Sequence, residues 1–203
     1  MDSTTSSGGG GGGGGGGFAF PPHYSFPPFF TLQPALTTRA SQLHSWSQLI
    51  QAYCRHRRLF ALSLVDAVDT DLFCNAALGR RLSLRDAREV IAWMCGKEGG
   101  ERAEWIGAGN AAKGKEGAEA RAACWVFWRR PEEWAGVIEG WVDATGQKNT
   151  VLTLYELLES DATKSQEFHG MDPELLKRSL QVLVKRGKAQ VFGSEDSLGV
   201  KFF

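Results

Sequence analysis

The chain has 203 residues, 42% of them hydrophobic, and its 23 Lys plus Arg balance 23 Asp plus Glu. That length serves one medium core or two small ones, and the balanced charge sets up no long-range field to draw in nucleic acid or anionic lipid. The four cysteines, Cys54, Cys74, Cys95 and Cys124, form no Cys-x-x-Cys pair, which argues against zinc and thioredoxin-type chemistry and leaves them as small buried hydrophobes.

Residues 1–17 are Ser/Thr followed by the unbroken glycine run Gly8 to Gly17. With no side chains to bury, this predicts a disordered tail; a phosphate-cradling loop needs Lys-Ser or Lys-Thr after the glycines, and Phe18-Ala19-Phe20 stands there instead. Residues 18–37 read as an extended arm. Its proline pairs, Pro21-Pro22 and Pro27-Pro28, remove donors and disfavour helix or central strand, yet seven rings lie between residues 18 and 34, His23 included. An extended segment cannot bury so many rings against itself, so they lie on the protein's own core or on a partner. Pro21-Pro22-His23-Tyr24 also fits the Pro-Pro-x-Tyr pattern read by WW domains.

A first module is expected over 38–130. Thr37 and Thr38 stand as helix caps, and Leu43, Trp46, Leu49, Ile50, Tyr53 and Cys54 make the buried face of a helix running to Arg57. Arg55, His56, Arg57 and Arg58 fill its last turn, suited to the helix dipole or, on a sharper reading, to phosphate. Leu59 to Val65 reads as a short strand and Asp71 to Leu78 as a short helix. Ser83 caps a third helix with Leu84, Ala87, Val90, Ile91 and Met94 inward, ended by Gly96, Gly99 and Gly100. Ala103 to Ile106 and Arg121 to Trp128 form a hairpin, with Gly107 to Ala120 a mobile excursion between them.

At Cys124 to Val142 an apolar strand runs into a helix with almost no linker. Pro131 opens that helix, Glu132 and Glu133 favour its positive end, and Trp134, Val137, Ile138, Trp141 and Val142 make its apolar stripe. Modules joined this tightly cannot tumble independently. The second module, 131–203, repeats the plan: a strand at Thr150 to Thr153, a helix at Leu154 to Glu159, and a polar loop to Gly170. A third helix is opened by Asp172 and Pro173 and faced by Leu176, Leu180, Leu183 and Val184. A hairpin of Lys188 to Phe192 and Gly199 to Phe203 turns at Gly193 to Ser197. The fold class is therefore α+β, mostly helical: two tandem winged-helix modules behind a Gly-rich tail and a Pro/aromatic arm.

The blocks Phe26-Pro-Pro-Phe-Phe-Thr-Leu-Gln-Pro34, Trp128-Arg-Arg-Pro-Glu-Glu-Trp134, Gly146-Gln147, Thr153-Leu-Tyr-Glu-Leu157, Glu167-Phe-His-Gly170 and Gly199-Val-Lys-Phe-Phe203 carry a resemblance. The chain resembles the vacuolar protein-sorting-associated protein 25 family, the small subunit of the ESCRT-II complex. The resemblance implies a non-catalytic adaptor without cofactor or metal, cytoplasmic and recruited peripherally to endosomes carrying ubiquitinated cargo. Two copies join the two larger ESCRT-II subunits through the arm and first module, and the second module recruits an ESCRT-III subunit. The family's docking motifs fall on Pro21, Pro22 and Tyr24 and on Pro27, Pro28, Phe29 and Phe30. Phe30 stands where the family motif ends in Tyr, which removes a hydroxyl donor. The glycine run and the Gly107 to Ala120 excursion are additions to the family pattern.

Three other classes compete. A winged-helix DNA-binding regulator would set Lys177, Arg178, Lys185 and Arg186 against phosphate, although Glu174 shares that helix. An enzyme would need converging groups, and His23, His44, His56 and His169 lie in separate elements. A general WW-domain client would depend on Tyr24 more than on Phe29 and Phe30. No run of about 18 apolar residues and no signal-peptide pattern appears, so a soluble intracellular protein is expected.

Overall fold

The structure, a computed structural model, describes residues 17–107, 122–193 and 198–203. The expected tail to Gly17 lies outside these residues except for Gly17 itself, as do most of the Gly107 to Ala120 excursion and the turn after Gly193. In the first half, α1 (Leu36–Arg57) leads into β1 (Ala61–Ser63), α2 (Leu64–Ala67), a small ribbon of β2 (Cys74–Asn75) and β3 (Arg80–Arg81), then α3 (Leu84–Cys95), β4 (Ala103–Trp105) and β5 (Ala123–Val126). The second half runs α4 (Pro131–Thr145), β6 (Val151–Thr153), α5 (Leu154–Glu159), α6 (Pro173–Lys185), β7 (Ala189–Phe192) and β8 (Gly199–Phe202). The sheets order as β1-β5-β4 and β6-β8-β7, antiparallel throughout. In each, the first strand pairs with the last and the hairpin closes over the third helix, which is the winged-helix arrangement.

Local chemistry accounts for the helix ends. The Ser83 side chain accepts from the Asp86 N–H at the start of α3, and Asp172 accepts from Glu174 and Leu175 ahead of Pro173 in α6. Thr153 and Glu156 form a reciprocal capping box on α5. Gly146 ends α4 in the left-handed region, at φ 67°. Thr37 and Thr38 do not cap α1; the helix starts one residue earlier at Leu36, and both threonines lie in its first turn.

Three segments differ from the sequence expectation. The short helix placed at Asp71 to Leu78 is instead at Leu64–Ala67, and β1 stops at Ser63 to make way for it. Leu72 and Phe73 are both fully buried; the Asn75 side chain accepts from the Leu78 N–H and Gly79 turns at φ 58°, so the chain doubles back as a ribbon. On α6, Val184 is exposed at the edge of the buried arc, whose centre is Leu175, Leu176, Ser179, Leu180 and Leu183. The arm is not simply extended either. Each proline pair starts a single 3-10 turn, at Pro22–Ser25 and Pro27–Phe30, because proline fixes φ near the helical value where a helix start needs no N–H.

Two hydrophobic cores result, and β5 belongs to both. Cys124 and Val126 face the first core, with Trp46, Ile50, Phe73 and Ile91. Trp125 and Phe127 face the second, joined there by Phe60 from before β1 and by Trp134, Ile138, Leu176 and Leu183. The alternation of side chains along a strand puts one residue in two on either side, so the first sheet is also a wall of the second core.

Candidate functional site

The arm holds the residues singled out for docking, and the structure divides them. Tyr24, Phe29 and Phe30 are buried, at 6%, 6% and 3% exposure, as members of the first core. Pro22, Pro27 and Pro28 are exposed and Pro21 is half-buried. The three rings are therefore not free to enter a partner. Phe29 stacks on Trp46 with ring centroids 4.3 Å apart, while Phe30 meets both Tyr24 and Trp46 edge-on. Burying a ring of this kind contributes roughly 1.5 to 3 kcal/mol, and that energy goes into this chain's own fold.

Polar contacts fix the arm at the same points. The Tyr24 hydroxyl donates to the Asp71 carbonyl, the Tyr53 hydroxyl donates to the Asp71 carboxylate, and Asn75 Nδ2 donates to the Tyr24 carbonyl at 3.0 Å. Burial, with the Asp71 carboxylate close by, pushes both phenols above their ordinary pKa and keeps them neutral donors. Further along, Gln42 Nε2 donates to the Phe29 and Thr31 carbonyls at 2.8 and 3.0 Å, its Oε1 accepts from the Gln33 N–H at 3.0 Å, and Trp46 Nε1 donates to the Phe29 carbonyl at 3.1 Å. Gln42 thus stands in for the backbone partners that a turn of proline and aromatic residues lacks.

What the arm shows to solvent is its other side. Phe26, between the two turns, is 60% exposed. Beside it a groove of about 440 Å3 is lined by Phe26, Pro28, Phe29, Gln33 and, from α1, Thr38 and Ser41. Phe26 lies outside the two docking motifs, yet among the described rings of the arm it is the most exposed. A signal existed: with tight turns in place of an extended chain, the residue between two Pro-Pro pairs is the one left at the outer corner.

The second module carries a smaller groove of about 320 Å3 between α6 and the hairpin, lined by Leu154, Lys177, Leu180, Val184, Val191 and Leu198. Val184, out of place as a core residue, is a wall of this groove.

The competing site residues are largely committed elsewhere. Arg178 pairs with Glu104 at 2.7 Å and lies 4.2 Å over the Trp125 ring, so its charge is spent on the joint between the halves rather than offered to phosphate. The basic end of α1 is likewise engaged: Arg55 meets Glu167 at 2.6 Å, Arg58 donates to the Gln166 carbonyl at 2.9 Å, and Arg57 pairs with Asp71 at 3.5 Å. A WW domain could not read Tyr24 in place, since its ring and hydroxyl are already occupied. Burial pushes the Cys54 thiol up to about 12 and raises that of Cys124, so neither is a thiolate at neutral pH. Among the described residues no group of three or more His, Cys, Asp or Glu could hold a metal ion, and no helix is long and apolar enough to cross a membrane.

Comparison with known proteins places these features in a family. A family model described as "ESCRT-II complex subunit" matches residues 23–172. The vacuolar protein-sorting-associated protein 25 of Danio rerio is 41% identical over 186 residues, covering 92% of this chain and 99% of the relative. Among solved structures, subunit VPS25 of the endosomal trafficking complex ESCRT-II aligns with a TM-score of 0.74 at 32% identity, over 90% of this chain and 98% of that one. A chain of the endosomal complex ESCRT-II (VPS22/VPS25/VPS36) aligns at 0.74 with 29% identity and the same coverage.

Proposed function

Because the chain belongs to the ESCRT-II complex subunit family, we propose that it is a non-catalytic adaptor of that complex, acting in endosomal sorting of ubiquitinated cargo. Its two larger subunits, the counterparts of VPS22 and VPS36 in the solved complex, would be captured through the arm and the first module, with two copies of this chain per assembly. The working units are the arm at 18–37, a first module at 38–130 and a second at 131–203. The protein is cytoplasmic and reaches the endosome through its partners.

The observation that carries this reading is the arm's outward face, where Pro22, Phe26, Pro27 and Pro28 stand exposed on turns anchored from beneath by Tyr24, Phe29 and Phe30. Of the seven motif residues, the exposed prolines supply contact and the buried rings act as positioning residues. A surface held this firmly loses little conformational entropy on docking. The second module recruits an ESCRT-III subunit, and the apolar groove on α6 supports that role. Two copies would then present two second modules at once and raise the effective concentration for an assembling partner.

Co-expression with the two candidate larger subunits, followed by native mass measurement, tests the reading. A co-eluting species with two copies of this chain and one of each larger subunit is expected. Recovery of this chain alone overturns it.

A further inference from the structure

We infer that β5 couples the two halves into a single cooperative unit, so that the stability of one core is read out in the other. Most tandem domains meet through a linker and a polar interface. Here the shared element is a strand in the middle of a sheet. It pairs with β1 on one side, from Ala61↔Trp125 to Ser63↔Ala123, and with β4 on the other, from Ala103↔Val126 to Trp105↔Cys124. Its side chains then go alternately to the first core, through Cys124 and Val126, and to the second, through Trp125 and, just past its end, Phe127.

The second core is accordingly incomplete without the first half. Phe60, Trp125 and Phe127 are buried in it at 5%, 9% and 5% exposure, and Ile106 and Trp128 pack against it. The Phe60 ring lies 4.6 Å from Trp128 and 6.1 Å from Trp134, the first large residue of α4. Losing the first sheet would strip these rings from Trp134 and open the second core to water. Losing the second core would leave one face of β5 bare.

Charged contacts hold the two flanks of this wall. Glu167, in the loop before α6, sits between Arg55 of α1 and Arg129 of the joint, at 2.6 and 2.8 Å. On the other flank Arg178 of α6 reaches Glu104 of β4, and Arg102 next to β4 pairs with Glu133 of α4 at 2.9 Å. These pairs are partly exposed and fix orientation more than they add stability; the buried rings carry the coupling. Anything that steadies the first core therefore steadies the second by the same free energy, with no contact to it.

Native-state hydrogen exchange on the full chain tests this. Ile91 of α3 and Ile138 of α4 are each fully buried, one in each core. Ile91→Val should lower protection of the slowest amides by about 2- to 12-fold. The same factor is expected in α3 and in α6, and Ile138→Val should give the mirror result. Leu49→Ala enlarges the perturbation of the first core should the smaller one fall within error. Equal loss of protection in α3 and α6 supports a single unit. Loss in α3 with α6 unchanged, for either first-core variant, overturns it.

Discussion

The two halves share one sheet order and differ in what closes their cores. Over the first, the arm lays Tyr24, Phe29 and Phe30 against Trp46. Over the second, among the described residues, Phe60, Trp125 and Phe127 from the half before it take that place. In both cases the chain immediately upstream supplies aromatic surface to the core. The difference lies in what the plug shows to solvent: the arm leaves an outward face of proline and phenylalanine, whereas β5 is walled in on both sides.

The largest effects come from pulling the plugs. Phe29→Ala with Phe30→Ala removes two buried rings, each worth about 3 to 5 kcal/mol, and thermal unfolding should show both cores lost together. Partner capture then fails through unfolding, not through missing contacts. Phe127→Ala should cost about as much as one of these, although Phe127 belongs by sequence to the first half. A melting temperature close to that of the parent would mean that the second core is self-sufficient and the comparison fails.

Smaller effects sharpen it. Gln42→Ala leaves the Gln33 N–H without its acceptor, while the Phe29 carbonyl keeps Trp46 Nε1 and the Thr31 carbonyl keeps the Gln33 amide, and a loss of about 1 to 3 kcal/mol is expected in denaturant titration. Glu133→Gln probes the joint. Burial works against the Glu133 charge, but the Arg130 N–H at 2.6 Å and the Arg102 guanidinium outweigh it and hold the carboxyl below its ordinary value. A depressed carboxyl stabilises the fold above the unfolded value of about 4.3 and loses that contribution as pH falls through its folded value. The gap in melting temperature between parent and Glu133→Gln should therefore be full at neutral pH and shrink below about 4.3. A gap independent of pH would remove Glu133 from the account.

Much of this was legible in the sequence. The stripe Leu84, Ala87, Val90, Ile91 and Met94, the Asp172-Pro173 start and the Cys124 to Val142 joint were all readable, because period and capping are local. The division of the joint was not. Cys124 to Trp128 reads as one apolar run, and only tertiary structure sends Cys124 and Val126 one way and Trp125 and Phe127 the other. The arm misled for a related reason: proline pairs announce restricted backbone, but whether they extend or start a turn decides which rings face in, and that depends on Trp46 and Gln42. Asp71 to Leu78 misled toward a helix because Leu72 and Phe73 carry no period of their own, and the doubling back of the chain at Asn75 and Gly79 is set by side-chain and glycine turn chemistry.

The central claim is that the arm's buried rings build a platform whose exposed side does the docking. Phe26→Ser with Pro28→Ser changes only that side, so the unfolding free energy should stay within about 0.5 kcal/mol of the parent. In co-expression with the two larger subunits, native mass measurement should then find the double variant folded but absent from the complex. Its recovery at the parental level would contradict the account.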